Sequence, residues 1–472
     1  MSSRGSSTRS AGSAEPPPGR GALPSLPGGG VGRVVGVDVT RGVAVLGMMA
    51  VHVFGALHRE DGPTVATLVA GGRSATTFAV VAGLSLAFLS GGRAGPRPGR
   101  GRITAAGIAA RGVAIGLIGL VLAYLGSAQV ILSSYGLLFL LAIPLLWAGP
   151  RLLAAVAVAA GLMGPVLVLL AADGPFAYDG QTWDPTLTSL VTEPLGVLSL
   201  LMVSGSYPVV VYLAYVSTGL AVGRLDLRSP RVAWRLLGGG LVLAALAQAL
   251  AAYLLFSLGG MSRLLAAVQT EQADEDEFDI GDATTELRWD PELVDSWWYL
   301  ALPSPHAHTP LDVAHTIGSA LALLGLALLV CRIRAFRRAL RPLADIGSMP
   351  LTIYSAHLVV LATPLLERRP RALFLAMTVA AMVFAVAWRR MRGQGPMERL
   401  LASLAGRARD AAARRSGGGS PSVTDGPPDG SGSPATEPSK PPPPHNPAST
   451  SGPSDGAAPP LEDSPDVPAP RR

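Results

Sequence analysis

Two stretches of the chain, Leu152–Ala172 and Leu236–Leu258, contain no charged residue at all, and each is long enough to cross a bilayer core, which takes about 20 apolar residues. Eight further apolar runs of comparable kind flank them. The ten predicted spans lie near 34–57, 65–90, 103–125, 128–148, 152–172, 206–223, 236–258, 311–331, 343–366 and 371–388. Charged residues make up 15% of the 472-residue chain, against roughly a quarter in soluble domains, so lipid is the expected solvent. Runs of this length far exceed the roughly 10 residues of a barrel strand, and an open strand leaves its backbone unsatisfied in lipid. The expectation is an all-α, polytopic transmembrane bundle of about ten helices with disordered termini.

Charge orients the bundle. Arg20 and Arg33 precede the first span, and alternate loops carry Arg93, Arg97, Arg100 and Arg102, then Arg224, Arg228, Arg231 and Arg235, then Arg332, Arg334, Arg337, Arg338 and Arg341. By the positive-inside rule these face the cytoplasm, so the chain reads as a multi-pass plasma-membrane protein with both termini inside. The opposite loops are acidic or neutral, with Asp173, Asp179, Asp184 and Glu193 in one and a dense run from Glu271 to Asp282 in another. Arg368, Arg369 and Arg371 break the pattern on the outer side, which means either that the last hairpin is misassigned or that they bind something there. The net charge of +6 comes from clusters between apolar segments, which fits orientation and not nucleic-acid binding. Oligomeric state is not legible.

Residues 1–32 read as a disordered cytoplasmic tail, residues 33–402 as the membrane domain with an external acidic loop at about 259–310, and residues 403–472 as a low-complexity cytoplasmic tail, disordered from about 415. A single cysteine, Cys331, excludes intrachain disulfides and any CxxC motif. Trp297, Trp298 and Tyr299 precede a span as an interfacial aromatic belt would. No internal duplication of the kind found in many transporters is evident.

Ionisable residues inside apolar runs demand an account. The first span carries Asp38, Arg41 and His52, which at 100° per residue share one face, Arg41 and His52 within about 20° and Asp38 within roughly 60° of both. Asp38 and His52 are separated by roughly 21 Å along the helix axis, so the three do not form one acid–base set. An interfacial Asp38–Arg41 ion pair competes with a ligand-binding role. His52, His58, His306, His308, His315 and His357 all fall toward the outer side, and Arg73 and Asp312 belong at similar depth. Together they offer a base, its orienting carboxylate and an anion clamp. A zinc site built on His306, His308 and His315 matches no strong ligand spacing, so no metal is expected. Tyr354 and His357 are helical neighbours in the ninth span, and Ser348 and Thr352 are placed for hydrogen bonds between helices. GxSxG, P-loop, HExxH and dinucleotide motifs are absent.

Gly36-Val37-Asp38-Val39-Thr40-Arg41-Gly42-Val43-Ala44, followed by Met48, Met49 and His52, resembles the opening signature of the heparan-α-glucosaminide N-acetyltransferase catalytic family. Gly72-Arg73-Ser74-Ala75-Thr76-Thr77-Phe78 through Gly83 resembles the next bacterial segment, and Ser304-Pro305-His306, Leu351-Thr352-Ile353-Tyr354 and Gly395-Pro396-Met397-Glu398 are similar to stretches of bacterial relatives. The resemblance covers roughly residues 33–402. It implies transfer of an acetyl group from cytoplasmic acetyl-CoA to an acceptor across the membrane, with a histidine on the far side in catalysis. His58 or His52 matches that histidine, and His357 is the third candidate. Asp38, Arg41, Arg102 and Arg111 are the expected donor-binding residues, since guanidinium pairs well with phosphate. Arg73, Asp312, His315 and Tyr354 are the expected acceptor-binding residues, the acceptor being a small molecule or cell-envelope glycan with an amino-sugar or hydroxyl group. A transporter or a non-catalytic polytopic protein is the alternative.

Overall fold

The computed structural model describes residues 34–58, 62–96, 98–171, 184–271, 279–365 and 368–417. Both tails, Arg97, Asp173, Asp179 and the acidic residues 272–278 lie outside the described residues.

The helices are α1 (Val35–Phe54), α2 (Val65–Ala70), α3 (Arg73–Leu89), α4 (Gly101–Leu122), α5 (Leu132–Leu141), α6 (Pro150–Ala171), α7 (Leu187–Thr192), α8 (Pro194–Ser199), α9 (Val209–Gly223), α10 (Pro230–Ala252), α11 (Gly260–Glu271), α12 (Ile280–Trp289), α13 (Pro310–Val330), α14 (Arg334–Ala339), α15 (Arg341–Ile346), α16 (Pro350–Leu361), α17 (Pro370–Arg392) and α18 (Pro396–Gly417). The strands described are two residues each, β1 (Leu57–His58) and β2 (Gly62–Pro63), paired antiparallel. Among the described residues seven helical stretches are long and apolar enough to cross a membrane, and the bent pair Pro194–Ser204 with Val209–Gly223, broken by 58°, makes an eighth. The shorter apolar helices α5 and α16 occupy the fourth and ninth expected spans. The protein is an all-α polytopic bundle, as its hydropathy predicts.

Small residues let the helices approach backbone to backbone. A Cβ at Gly219 of α9 would collide with the Val80 carbonyl oxygen of α3, so this crossing admits glycine alone, in the manner of close-packed membrane helices. The large central core joins α1, α3, α5, α9, α16 and α17 around fully buried Tyr135, Tyr212, Tyr215 and Tyr354. A separate small core under α11 and α12 gathers Leu264, Leu287, Val294, Tyr299 and Leu302. The segment expected to be an external acidic loop therefore contains two packed helices, with Trp298 held under the Arg263 guanidinium at 5.1 Å.

The bundle has two chemically distinct ends. One collects Arg224, Arg332 to Arg341 and Arg389, where α9, α13 and α17 finish and α10 begins. The other collects His52, His306, His308 and His315, where α1 finishes and α13 begins. These are called the arginine end and the histidine end below. Arg371 opens α17 at the histidine end, beside Phe54 and Phe374.

At the arginine end α18 runs through residue 402 and packs along α4. Its Glu398 carboxylate accepts from the backbone N–H groups of Leu351 (2.8 Å) and Thr352 (3.1 Å) and from the Thr352 hydroxyl (2.6 Å). A carboxylate here satisfies orphan donors at the start of α16 and matches the helix dipole. The Gly395–Glu398 motif is thus the clasp that closes the last helices of the bundle.

Candidate active site

The first span delivers its polar face as the helical wheel requires, with Asp38 and Arg41 at one end and His52 at the other. Arg41 is drawn into a brace. Its guanidinium bonds the Gly347 carbonyl at 2.8 Å and the Ser85 hydroxyl at 2.6 Å, and pairs with Asp38 at 3.3 Å. It thereby ties α1 to α3 and to the turn before α16. Arg389 of α17 pairs with buried Asp345 at 2.6 Å. Around this brace two small cavities, of about 280 and 310 Å³, are lined by Arg338, Arg341, Asp345 and Arg389, the second also by Asp38 and Arg337. Of the other residues expected to hold the donor, Arg102 is exposed on α4, and Arg111 is half-buried within electrostatic reach of Arg409 on α18. The arginines at 337–341, read from sequence only as orientation signals, line this basic recess.

At the histidine end His52 Nδ1 and His357 Nε2 approach to 2.9 Å across a sequence separation of 305 residues. The rings stack at 5.2 Å, and Tyr354 sits edge-on to His357 at 4.8 Å. His357 is 3% exposed, and its Nδ1, near the Ile353 and Tyr354 carbonyls, has no hydrogen-bond partner among the described residues. With the proton on that nitrogen, His357 Nε2 accepts and His52 Nδ1 donates. The remaining lone pair of the dyad is then on His52 Nε2, on a residue that is only half-buried. Tyr354 in turn donates its hydroxyl to the Gln129 carbonyl and accepts from the Ile131 N–H, both at 3.4 Å.

A second group surrounds the turn before α13. His306 and His308 both adopt positive φ, 60° and 54°, an uncommon conformation for residues with a Cβ and one that recurs at functional sites. His306 Nε2 accepts from the Gly72 N–H at 3.3 Å. His308 Nε2 faces the Ser206 carbonyl at 2.9 Å and so carries the proton, while its Nδ1 is buried without a partner. Asp312 accepts the His308 backbone N–H on one oxygen, at 3.2 Å, and its other oxygen is likewise unpartnered among the described residues. Burial, with His306 adding to it, pushes the His308 imidazole down to about 3, so it is neutral at physiological pH.

Arg73 donates through Nε to His315 Nε2 at 3.2 Å, which places the His315 proton on Nδ1, facing the Ala244 carbonyl at 3.2 Å. Asp312 and His315, one turn apart, thus take different partners. Asp312 holds the His308 backbone, and Arg73 holds His315. His58 lies on β1.

His306 and His308 look into a cavity of about 980 Å³. Its other walls include Asp184, Asp290, Glu292, Tyr299 and the non-helical stretch Gly126–Gln129. Asp184 accepts the Val130 N–H on both oxygens, at 2.9 and 3.0 Å. Burial pushes its carboxyl up to about 6, a rise the Val130 hydrogen bond opposes. In the sequence Asp184 is one more acidic loop residue, because nothing local to it signals the fold of residues 126–131 over its carboxylate.

Residues 33–258 match the family model described as heparan-alpha-glucosaminide N-acetyltransferase, catalytic. That part, just under half of the chain, is similar to this family. A second model, described as a protein of unknown function (DUF418), matches residues 293–408. No curated protein matches the chain. The catalytic-domain family points to membrane acetyltransferase activity and, in general terms, to acetyl-CoA as donor. The two matched regions meet in the histidine dyad, the N-acetyltransferase region supplying His52 and Arg73, and the second region supplying His306, His308, His315, Tyr354 and His357. Among the described residues no group of three or more His, Cys, Asp or Glu side chains is placed to hold a metal ion.

Proposed function

We propose that this protein is a membrane-embedded acyltransferase that moves an acetyl group from acyl-CoA, bound from the arginine end, to an amino or hydroxyl acceptor of an amino sugar or related small molecule at the histidine end. The observation that carries the reading is the His52–His357 dyad, a half-buried and a buried imidazole 2.9 Å apart, in a chain whose residues 33–258 are similar to an acetyltransferase family.

In the reaction the acceptor nitrogen or oxygen attacks the thioester carbonyl carbon. The new C–N or C–O bond forms as the C–S bond breaks, His52 Nε2 takes the acceptor proton, and the CoA thiolate departs to be protonated in its turn. When His52 becomes an imidazolium, its Nδ1–H already points at a neutral acceptor on His357, which stabilises the charge and holds the ring in place. Positioned bases of this kind contribute about 10²–10⁴-fold. The cavity beside His306 and His308 admits the acceptor, with Asp312, His315, Arg73 and Tyr354 shaping its surroundings. The recess of Arg337, Arg338 and Arg341 receives the donor phosphates, with Asp38 and Arg41 bracing its wall and Arg102 and Arg111 adding positive charge along α4. In this reading the arginine end is cytoplasmic and the membrane is the plasma membrane.

The test is transfer of label from radiolabelled acetyl-CoA to a panel of amino sugars by protein reconstituted in vesicles. Labelled acceptor with wild-type protein and none with His52→Ala supports the proposal. Solute flux across the vesicles without any labelled acceptor or labelled protein overturns it in favour of transport.

A further inference from the structure

A second cavity, of about 790 Å³, lies on the opposite side of α1 from the dyad and is bounded by α1, α2, α3, α13 and α17. Its walls are apolar through most of their extent, formed by Leu46, Ala50, Phe54, Val69 and Phe374, with Phe54 and Phe374 in ring contact at 5.6 Å. Val65 and Val69 on its rim are 75% and 72% exposed, as side chains bordering lipid are. Arg73 and Arg371 are the two charged residues of its lining, which also includes Thr64, Ser74, Thr77 and Ser319.

Their placement needs an explanation. Arg371 follows Arg368 and Arg369 at the histidine end, and it has no ion-pair or hydrogen-bond partner among the described residues. Arg73 uses Nε on His315 and NH1 on the Leu68 carbonyl, and Asp312 lies within its electrostatic reach without forming an ion pair. The NH2 group has no hydrogen bond among the described residues. Arg73 is partly buried, and an arginine inside a membrane protein is costly unless an anion or a polar cavity receives it; guanidinium offers a fork that fits phosphate oxygens.

We infer that this cleft binds a membrane lipid bearing a net negative phosphate headgroup, its chain lying along Leu46, Ala50 and Phe374 and its phosphate held between Arg73 and Arg371. Such a ligand enters sideways from the bilayer and meets both demands of the cleft, an apolar body and an anionic head. Through Arg73 the headgroup is one hydrogen bond from His315. The inference does not depend on acyl transfer.

The experiment uses delipidated full-length protein in a neutral detergent, supplemented with mixed micelles of dioleoyl phosphatidylglycerol, with the same mole fraction of dioleoyl phosphatidylcholine, or with inorganic phosphate alone. Melting temperature and lipid retained in native mass spectra are read together. A ligand that binds only the native state raises the melting temperature by mass action. Phosphatidylglycerol is expected to stabilise and remain bound, with the other two additions giving little. Arg371→Gln, on an exposed side chain, leaves the lipid-free melting temperature unchanged and weakens apparent phosphatidylglycerol affinity about tenfold, the size of one lost charge-assisted hydrogen bond. Ala50→Phe, which fills the chain-binding wall, abolishes the shift independently of charge. Equal stabilisation by phosphatidylcholine, a full effect of inorganic phosphate, or an undiminished phosphatidylglycerol shift in both variants overturns the inference.

Discussion

The two ends of the bundle handle buried polar groups in opposite ways. At the arginine end they are closed on themselves. Arg41 is engaged by Gly347, Ser85 and Asp38, Arg389 by Asp345, Arg224 by the Gly92 and Leu146 carbonyls, and Glu398 by two backbone amides and a hydroxyl. At the histidine end His357 Nδ1, His308 Nδ1, one Asp312 oxygen and the Tyr212 hydroxyl are buried without partners among the described residues. A buried polar atom left unsatisfied costs about 1–3 kcal/mol, so a fold keeps such atoms where something other than stability is served. Ser217, Ser355 and Thr378 are also buried without partners among the described residues, but only at the histidine end do such atoms gather beside the proposed acceptor cavity.

Substitution at the dyad is the sharpest way to break this division. His52→Ala or His357→Ala should lower turnover per folded molecule by about 10²–10⁴-fold, far more than the accompanying loss of stability accounts for. If either variant kept full turnover, the dyad would belong with the bracing groups. Arg41→Ala should do the reverse, removing about 3 kcal/mol of stability, the scale for breaking a buried pair, with activity per folded molecule largely kept. Loss of turnover without loss of stability would move Arg41 into the donor site. Arg389→Gln removes a partly exposed member of its pair and should cost about 1–2 kcal/mol, read as a lower denaturation midpoint in detergent.

The smallest effect belongs to pH. Asp184 titrates at about 6 in the folded chain because burial disfavours its charge, above the ordinary carboxylate value of about 4. The folded state therefore holds a proton that the unfolded chain releases. This contribution favours folding fully below about pH 4 and is lost as pH rises through 6. Melting temperature measured from pH 4 to 7 should decline for the wild type relative to Asp184→Asn, whose amide oxygen still accepts the Val130 N–H. Parallel curves would show that Asp184 titrates as an ordinary surface carboxylate.

Much of the fold was legible because lipid imposes a simple rule on long apolar runs, and each expected span contains a helix. The polar face of α1 was legible for the same reason, since Asp38, Arg41 and His52 stand out in an apolar run and helical spacing fixes their common side. What sequence could not show is which helix each face meets. His52 finds His357 only because α16 lies against α1 in one particular register, and Arg41 is braced because Gly347 brings a carbonyl to it. Asp312 and His315 lie one helical turn apart, yet the turn at His306–Thr309 directs the carboxylate to the His308 backbone, a contact that spacing alone does not show. The helices at 260–289 were missed because their acidic, polar surface resembles a loop until Leu264 and Leu287 are seen to share a small core.

The non-helical stretch from Gly126 to Ile131 carries a further consequence. Peptide groups outside a helix are tolerated at membrane depth only where protein or solvent receives them. Tyr354 and Asp184 receive those of Gln129, Val130 and Ile131, and the cavity they border opens the remainder to water. The backbone of this stretch is thus received by the protein's own side chains and by the cavity, so a polar molecule that reaches His306 and His308 through that cavity passes along a wall made of peptide groups.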